Sequence, residues 1–426
     1  MLLGGLFCLA AAVAQPVSDS LLARYRQMAL AYNDDLKAAQ KNIEAGIELE
    51  RAARADRMPS LGAGANFRYT GNPYEYTAEL PNVGELSFQG RHVKYGASAS
   101  LMQPVYTGGR ILETIRLAQS QRLVAEAQQD LLHAAVCYQT DVLYWTAVAR
   151  FELLGVAWEF RNAVADLARI VGERVEEGMC DRQELLTVEV KLNEAEYQLL
   201  QAQSEFEIGR MALNSLIGVS LEAETPVGAV VAEVGDVNDS VCDLSLRPEV
   251  RIAREKIRME WSSLRANDAR YKPQLYVGAD AGYLSPGYDF RPDLSPNYAV
   301  YAQLSVPIYE GGRRRSEKRA GEKRAGMAAN ELHRVESEVE LQTRTAWTAL
   351  GRAEQRVELS RSSLEKAREN ERRATEEYEE GAISLADVID AQVYRQTAQT
   401  NDVTARAEAQ LHLAELLKAL HGYGAL

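Results

Sequence analysis

The heptapeptide Pro104-Val105-Tyr106-Thr107-Gly108-Gly109-Arg110 returns 203 residues later as Pro307-Ile308-Tyr309-Glu310-Gly311-Gly312-Arg313, with five of seven positions identical. At the same spacing Glu176-Glu177-Gly178 falls on Glu379-Glu380-Gly381 without a gap. A tandem repeat this long constrains the fold before any element is assigned, because each half must adopt the same arrangement and pack beside its twin. Upstream the spacing changes: Pro59-Ser60-Leu61 matches Pro273-Gln274-Leu275 at 214, so the first copy holds 11 extra residues between its two prolines. Such an insertion belongs in a loop.

Proline placement then outlines the helices. There is none from Val17 to Met58, from Val105 to Thr225, or from Ile308 to the end, whereas Pro59, Pro73, Pro81 and Pro104, and again Pro273, Pro286, Pro292, Pro296 and Pro307, cluster between those spans. A proline inside a helix costs ~3 kcal/mol, so the proline-free spans admit long helices. Ala, Leu, Glu, Lys and Arg make up nearly half of the 426 residues, a composition typical of long or coiled helices. The helix beginning near Arg110 is predicted to run to about Glu177, and its counterpart from Arg313 to Glu380. At 1.5 Å per residue each reaches ~100 Å. Both are polar on more than one side: between Ser360 and Glu380 the only apolar residues are Leu364, Ala367, Ala374 and Tyr378, set among many charges. That pattern suits a two-helix coiled coil and equally the wall of a water-filled tube.

The proline-rich spans alternate with period two. Leu61, Ala63, Ala65, Phe67 and Tyr69 share one face, followed by Val93, Tyr95, Ala97, Ala99 and Leu101. The second half repeats this with Leu275, Val277, Ala279, Ala281 and Tyr283, then Tyr298, Val300, Ala302, Leu304 and Val306. Four strands of about ten residues, apolar on one face and small or polar on the other, fit an outer-membrane β-barrel. A soluble antiparallel sheet packed on helices gives the same periodicity. In the barrel reading several chains must contribute, since even small membrane barrels use ~8 strands.

Composition removes other classes. With 48 Lys+Arg against 61 Asp+Glu the net charge is −13, so nucleic acid is not an expected partner. Met1 to Ser18 carries no charge and reads as a secretory signal cleaved after Ala14, although without the usual basic start. Cys8 leaves with it, and Cys137, Cys180 and Cys242 remain, an odd number at wide spacing that predicts unpaired thiols and no metal site. His92, His133, His333, His412 and His421 form no recognisable catalytic spacing, and no phosphate-binding loop follows a strand, so neither an enzyme nor a cofactor is expected.

The duplicated order, the Pro-x-Tyr-x-Gly-Gly turns and the segment Tyr378-Glu379-Glu380-Gly381-Ala382-Ile383-Ser384-Leu385-Ala386-Asp387-Val388-Ile389-Asp390-Ala391-Gln392 resemble the TolC family of outer-membrane efflux proteins. The resemblance covers essentially the whole mature chain. It implies a mainly α fold with a β-barrel part: a homotrimer whose 12-stranded barrel, four strands per chain, continues as a long α-helical barrel across the periplasm. It also implies an exit duct docked to a periplasmic adaptor (membrane fusion) protein and an inner-membrane pump of RND, ABC or MFS type, for drugs, metals, dyes or proteins.

The implied domains are a signal peptide 1–14, an N-terminal helix 15–58, a first strand pair 59–108, a first helical hairpin 109–218, an equatorial linker 219–247, a helix 248–272, a second strand pair 273–311, a second hairpin 312–422 and a tail 423–426. A secreted coiled-coil scaffold without a pore is the competing reading. Such a scaffold has no need of charge-free alternating strands at matching repeat positions.

Each repeated motif has a structural task. Pro104 and Pro307 are expected to end strand pairing for want of an N–H, and Gly108, Gly109, Gly311 and Gly312 to supply the backbone freedom for turning from strand into helix. Gly178 and Gly381 mark the far helix ends. By resemblance these two turns form the periplasmic tip, where the tunnel narrows and where Gly178, Asp181, Arg182, Gly381 and Ser384 meet the adaptor.

Asp387 and Asp390 lie three apart and hence on one helix face. In similar proteins the corresponding pair lines the closed tip, and threefold symmetry makes two rings of carboxylates that attract cations. An ordinary helix N-terminal turn, where acids suit the dipole, explains the same residues. Ile383 stands where some relatives carry a basic residue, which leaves Arg182 and Asp181 as the alternative pair for a latch.

Arg313, Arg314, Arg315, Lys318, Arg319, Lys323 and Arg324 fit either contact with anionic outer-membrane lipid or a solvated helix start. Tyr74, Tyr76 and Phe88 in the 71–92 loop, and Tyr288 and Phe290 in the 285–297 loop, are candidates for the outer mouth.

Overall fold

In chain order the elements are α1 (Ser20–Tyr32), α2 (Asp34–Ala55), β1 (Ser60–Tyr69), β2 (Glu75–Leu80), β3 (Gly84–Gln89), β4 (Val93–Tyr106), α3 (Arg110–Glu176), α4 (Arg182–Ile217), α5 (Pro248–Ala269), β5 (Gln274–Ser285), β6 (Ser295–Ser305), α6 (Arg313–Glu379) and α7 (Leu385–Ala419). This computed structural model describes residues 20–81, 84–235, 243–286, 293–420 and 423. The signal segment, Cys8, Cys242, Tyr288, Phe290 and His421 lie outside the described residues, as does the side chain of Phe88. Among the described residues no helix is long and apolar enough to cross a membrane, which bears on helices only.

The two long helices span 67 residues each, as the proline-free runs predict. Two expectations need correction. The helix expected over 15–58 is, in its described part, two helices, because the Asn33 side-chain oxygen accepts the Leu36 N–H at 2.9 Å and so caps a fresh start. The span 71–92 is no plain loop, since Glu75 pairs with Gln89 and Leu80 with Gly84 in a hairpin that accommodates the extra residues of the first copy.

The four long strands form one antiparallel sheet in the order β1-β4-β5-β6. Leu61 faces Leu101, Ala99 faces Ala281, and Leu275 faces Leu304. All ten residues of β1 are exposed, so helices do not cover that part of the sheet. At β1 the sheet is therefore not the one buried under helices that the soluble alternative requires.

Pro104 does not end β4, which is a further correction. The β4–β5 ladder continues to Tyr106↔Leu275 through an irregularity between Pro104 and Tyr106. A missing N–H deletes one rung, and the strand absorbs the loss as a bulge. In the second copy β6 does stop at Ser305, before Pro307.

The chain divides into two compact units. One comprises Met1–Gln40, Ala127–Arg251 and His333–Leu426, and the other Lys41–Glu126 and Ile252–Leu332. The first is centred on Leu22 and Tyr25 of α1, Tyr144 and Val148 of α3, Leu213 of α4 and Val403 of α7. In the second, Glu50 of α2 accepts from Gln119 at 3.1 Å and Arg122 at 3.0 Å on α3, while Glu113 of α3 pairs with Arg265 of α5 at 2.8 Å. Hence α2 and α5 both clasp the start of α3.

Candidate functional site: the paired helix-end turns

Both long helices end in the same way. Gly178 (φ 71°) donates to Val175 O at 3.1 Å and Met179 to Arg174 O at 2.8 Å. Gly381 (φ 74°) donates to Tyr378 O at 2.9 Å and Ala382 to Glu377 O at 2.8 Å. These are the paired bonds of a Schellman stop, which glycine makes without strain in the left-handed region. Three residues after each glycine the chain caps a new helix. Asp181 accepts the Gln183 N–H at 3.3 Å and opens α4. Ser384 and Asp387 form a reciprocal capping box that opens α7: the Ser384 N–H donates to Asp387 Oδ2 at 3.1 Å, and the Asp387 N–H to Ser384 Oγ at 3.4 Å.

The turns are brought together by an apolar cluster of Leu167, Val171, Val188, Tyr378, Leu385 and Val388, with Cys180, Leu185 and Ile383 against it. One cation joins them. Arg174 Nη1 donates to the Tyr378 carbonyl at 3.1 Å, and its guanidinium lies 4.8 Å from the centre of the Tyr378 ring. Burial raises the Tyr378 phenol above its ordinary value, partly opposed by Arg174. Cys137 and Cys180 are unpaired.

Gly178, Asp181, Arg182, Gly381 and Ser384 therefore sit on two neighbouring turns, and Arg182 is exposed. Asp387 and Asp390 are both exposed on the same face of α7. Asp387 nevertheless has a local partner, since the Ser384 hydroxyl donates to it at 2.6 Å. That hydroxyl, with the Ser384 N–H, holds the Asp387 carboxyl below the usual carboxylate range. The sign follows. A depressed pKa favours the folded state above the group's unfolded value, and this support is lost as pH falls through the folded value. Replacing Ser384 by Ala should move the Asp387 titration upward, measured as the infrared carboxylate band of isotope-labelled aspartate. Superimposable wild-type and variant curves would contradict the assignment.

The sequence pattern did not single out Arg174 as a link between turns. Its repeat counterpart is Glu377, so the duplication hides it. Tyr378 was visible as one of the few apolar residues in a charged stretch, without its role.

At the opposite ends of the long helices, Gly108 (φ 64°), Gly109 (φ 95°), Gly311 (φ 59°) and Gly312 (φ 81°) all adopt the left-handed region that the strand-to-helix turn requires. A family model described as outer membrane efflux protein matches residues 25–219 and 243–422. The chain belongs to the outer membrane efflux protein family.

Membership places it in the outer membrane. The solvent efflux pump outer membrane protein SrpC of Pseudomonas putida is 23% identical over 303 residues, and the chain spans 63% of that relative's length and 70% of its own. Outer membrane protein OprJ of Pseudomonas aeruginosa is 24% identical over 429 residues, covering 95% of this chain and 85% of OprJ. The open state of the Neisseria gonorrhoeae MtrE outer membrane channel superimposes with a TM-score of 0.79 at 18% identity, over 95% of this chain and 89% of MtrE. At that identity the likeness establishes the efflux-protein fold.

Proposed function

We propose that this family member is the exit duct of a tripartite efflux or type I secretion system. Three copies close a 12-stranded barrel in the outer membrane, and the long helices carry its lumen across the periplasm. The observation that carries this reading is the uncovered sheet: β1 is exposed along its length, and Leu61, Phe67, Tyr298 and Val300 stand 76%, 74%, 83% and 76% exposed. Apolar side chains in that number need lipid or another chain. Transport through such a duct is passive, with energy supplied by an inner-membrane pump of RND, ABC or MFS type acting through a periplasmic adaptor at the paired turns.

A secreted scaffold requires none of this apolar surface. Detergent-dependent extraction with chemical crosslinking decides between them, and recovery as a soluble monomer would remove the channel. Asp387 and Asp390 serve as the gate carboxylates. In planar bilayers the Asp387→Asn, Asp390→Asn double variant should lose most of the block by polyvalent cations, because two rings of fixed negative charge are neutralised. Unchanged block would remove both residues from the pore.

A further inference from the structure

Residues directly opposed across the ladder share a face of the sheet. The pairs Leu61↔Leu101, Leu101↔Ala279 and Ala279↔Val300 carry the apolar face through all four strands. The opposite face is the inner wall of the proposed barrel and is built largely of short side chains, among them Gly64 of β1, Ser98 and Ser100 of β4 and Asp280 of β5. Tyr301 of β6 departs from this. It stands on that wall directly opposite Gly278.

The Tyr301 ring lies down on its neighbour. A Cβ added to Gly278 would run into Tyr301 Cζ and would fall 2.6 Å from the hydroxyl oxygen and 2.8 Å from Cε2. The far end of the ring thus occupies the space of the missing side chain. Gly278 is accordingly buried and Tyr301 half-buried, although most residues of β1, β4 and β6 are exposed.

The duplication supplies a comparison. The counterparts of Gly278 and Tyr301 are Gly64 and Ser98, and these two are paired between β1 and β4 in the same register. A Cβ on Gly64 meets nothing within 4 Å, and Gly64 is exposed. Both halves therefore keep a glycine at this place, and only the second sets an aromatic ring on it.

We infer that Gly278 is the berth that holds the Tyr301 ring flat against the inner wall, and that this pair sets the width of the exit through the barrel. The inference rests on the multi-chain barrel proposed above and names the residues that govern the size of what passes. A strand side chain otherwise stands roughly perpendicular to its sheet, which here means into the lumen. Twelve strands ~4.8 Å apart and tilted ~40° enclose a space ~24 Å across between backbones. Three copies place three rings at one level of it, so displacing them narrows the passage at a single height. Any side chain at 278 forces that displacement, because the atoms it meets belong to the free end of the ring, which moves more easily than the strand beneath it.

The test probes the passage from outside the cell. Cys180 and Cys242 are replaced and the buried Cys137 is kept. Ser305→Cys serves as reporter, since Ser305 lies on the same wall four residues beyond Tyr301, toward α6. Maleimide-tagged polyethylene glycols of graded length are added to intact cells, and with Gly278 in place the reporter should accept long ones. Gly278→Val should slow the longest of these about tenfold and leave the shortest unchanged, because the selection is by diameter. Adding Tyr301→Ala to Gly278→Val should restore the original rate, and Gly64→Val, whose side chain meets nothing, should label as the unaltered protein does. Gly278→Ala is the milder change, chosen in case the valine prevents folding, and should also slow the long reagents. Equal labelling of Gly278→Ala and the unaltered protein at equal membrane levels would overturn the inference, as would a slowing that persists without the Tyr301 ring. If no reagent reaches Ser305→Cys in any variant, β6 lines no lumen and the channel reading fails as well.

Discussion

Replacing Asp141 by Ala should cost about 3–5 kcal/mol of stability, the penalty for leaving a buried cation without its partner. Arg26 of α1 grips Asp141 of α3 through two bonds of 2.6 Å, Nε to Oδ1 and Nη2 to Oδ2, with side chains only 11% and 2% exposed. The Tyr423 hydroxyl donates to the same carboxylate, and the Arg26 guanidinium lies 5.2 Å from the centre of the Tyr423 ring. Burial, reinforced by Asp141, pushes the Tyr423 phenol far above its ordinary value, and burial raises Cys137 nearby to about 11. The phenol and the thiol therefore stay neutral at physiological pH, leaving one cation to match one anion.

In Asp141→Ala the guanidinium remains buried, its attachment to α1 unchanged, with no anion beside it. The check is thermal unfolding of the detergent-solubilised protein for Asp141→Ala and for the double variant Arg26→Met, Asp141→Leu. Removing both charges with apolar side chains of similar volume should recover much of the loss. If the double variant were as unstable as Asp141→Ala alone, the penalty would belong to packing instead of to an unpaired charge.

This network also marks the boundary of what is legible in the sequence. Repeat spacing and proline-free runs outline α3 and α6, and period-two alternation outlines the four long strands, because those signals are local and recur at every turn or every second residue. Arg26 and Asp141 lie 115 residues apart, and Asp141 and Tyr423 lie 282 apart. Nothing periodic connects them. Asn33 breaks a helical run by one side-chain hydrogen bond, a competition between local options that a proline-free stretch does not register.

The turns illustrate the same division. Gly178 and Gly381 are legible because only glycine fits their backbone comfortably, whereas the Arg174–Tyr378 contact depends on two helices meeting. Pro104 is the reverse case: its missing N–H is a local defect, and the β4–β5 ladder absorbs it in an irregularity and runs on to Tyr106.

The glycine pair after β4 separates backbone conformation from packing, and substitutions there should differ sharply. Gly108 and Gly109 both have positive φ, 64° and 95°, so an alanine at either pays for the left-handed region, about 1–2 kcal/mol. Only Gly108 faces a neighbour. Its added Cβ would lie 2.6 Å from the Ala269 carbonyl oxygen and 2.8 Å from Lys272 Cβ, whereas a Cβ on Gly109 meets nothing within 4 Å. The nearest atom is backbone at the end of α5, where a rotamer change gives no relief. Ala269 is fully buried, so the whole helix end must retreat.

Gly109→Ala should therefore lower stability by the conformational cost alone. Gly108→Ala should lose about 2–4 kcal/mol in all, since overpacking adds ~1–3 kcal/mol to that cost. Melting temperatures of the two variants against wild type check the difference. Equal losses would mean that α5 yields freely and that the close approach of strand turn and helix end does not constrain the fold.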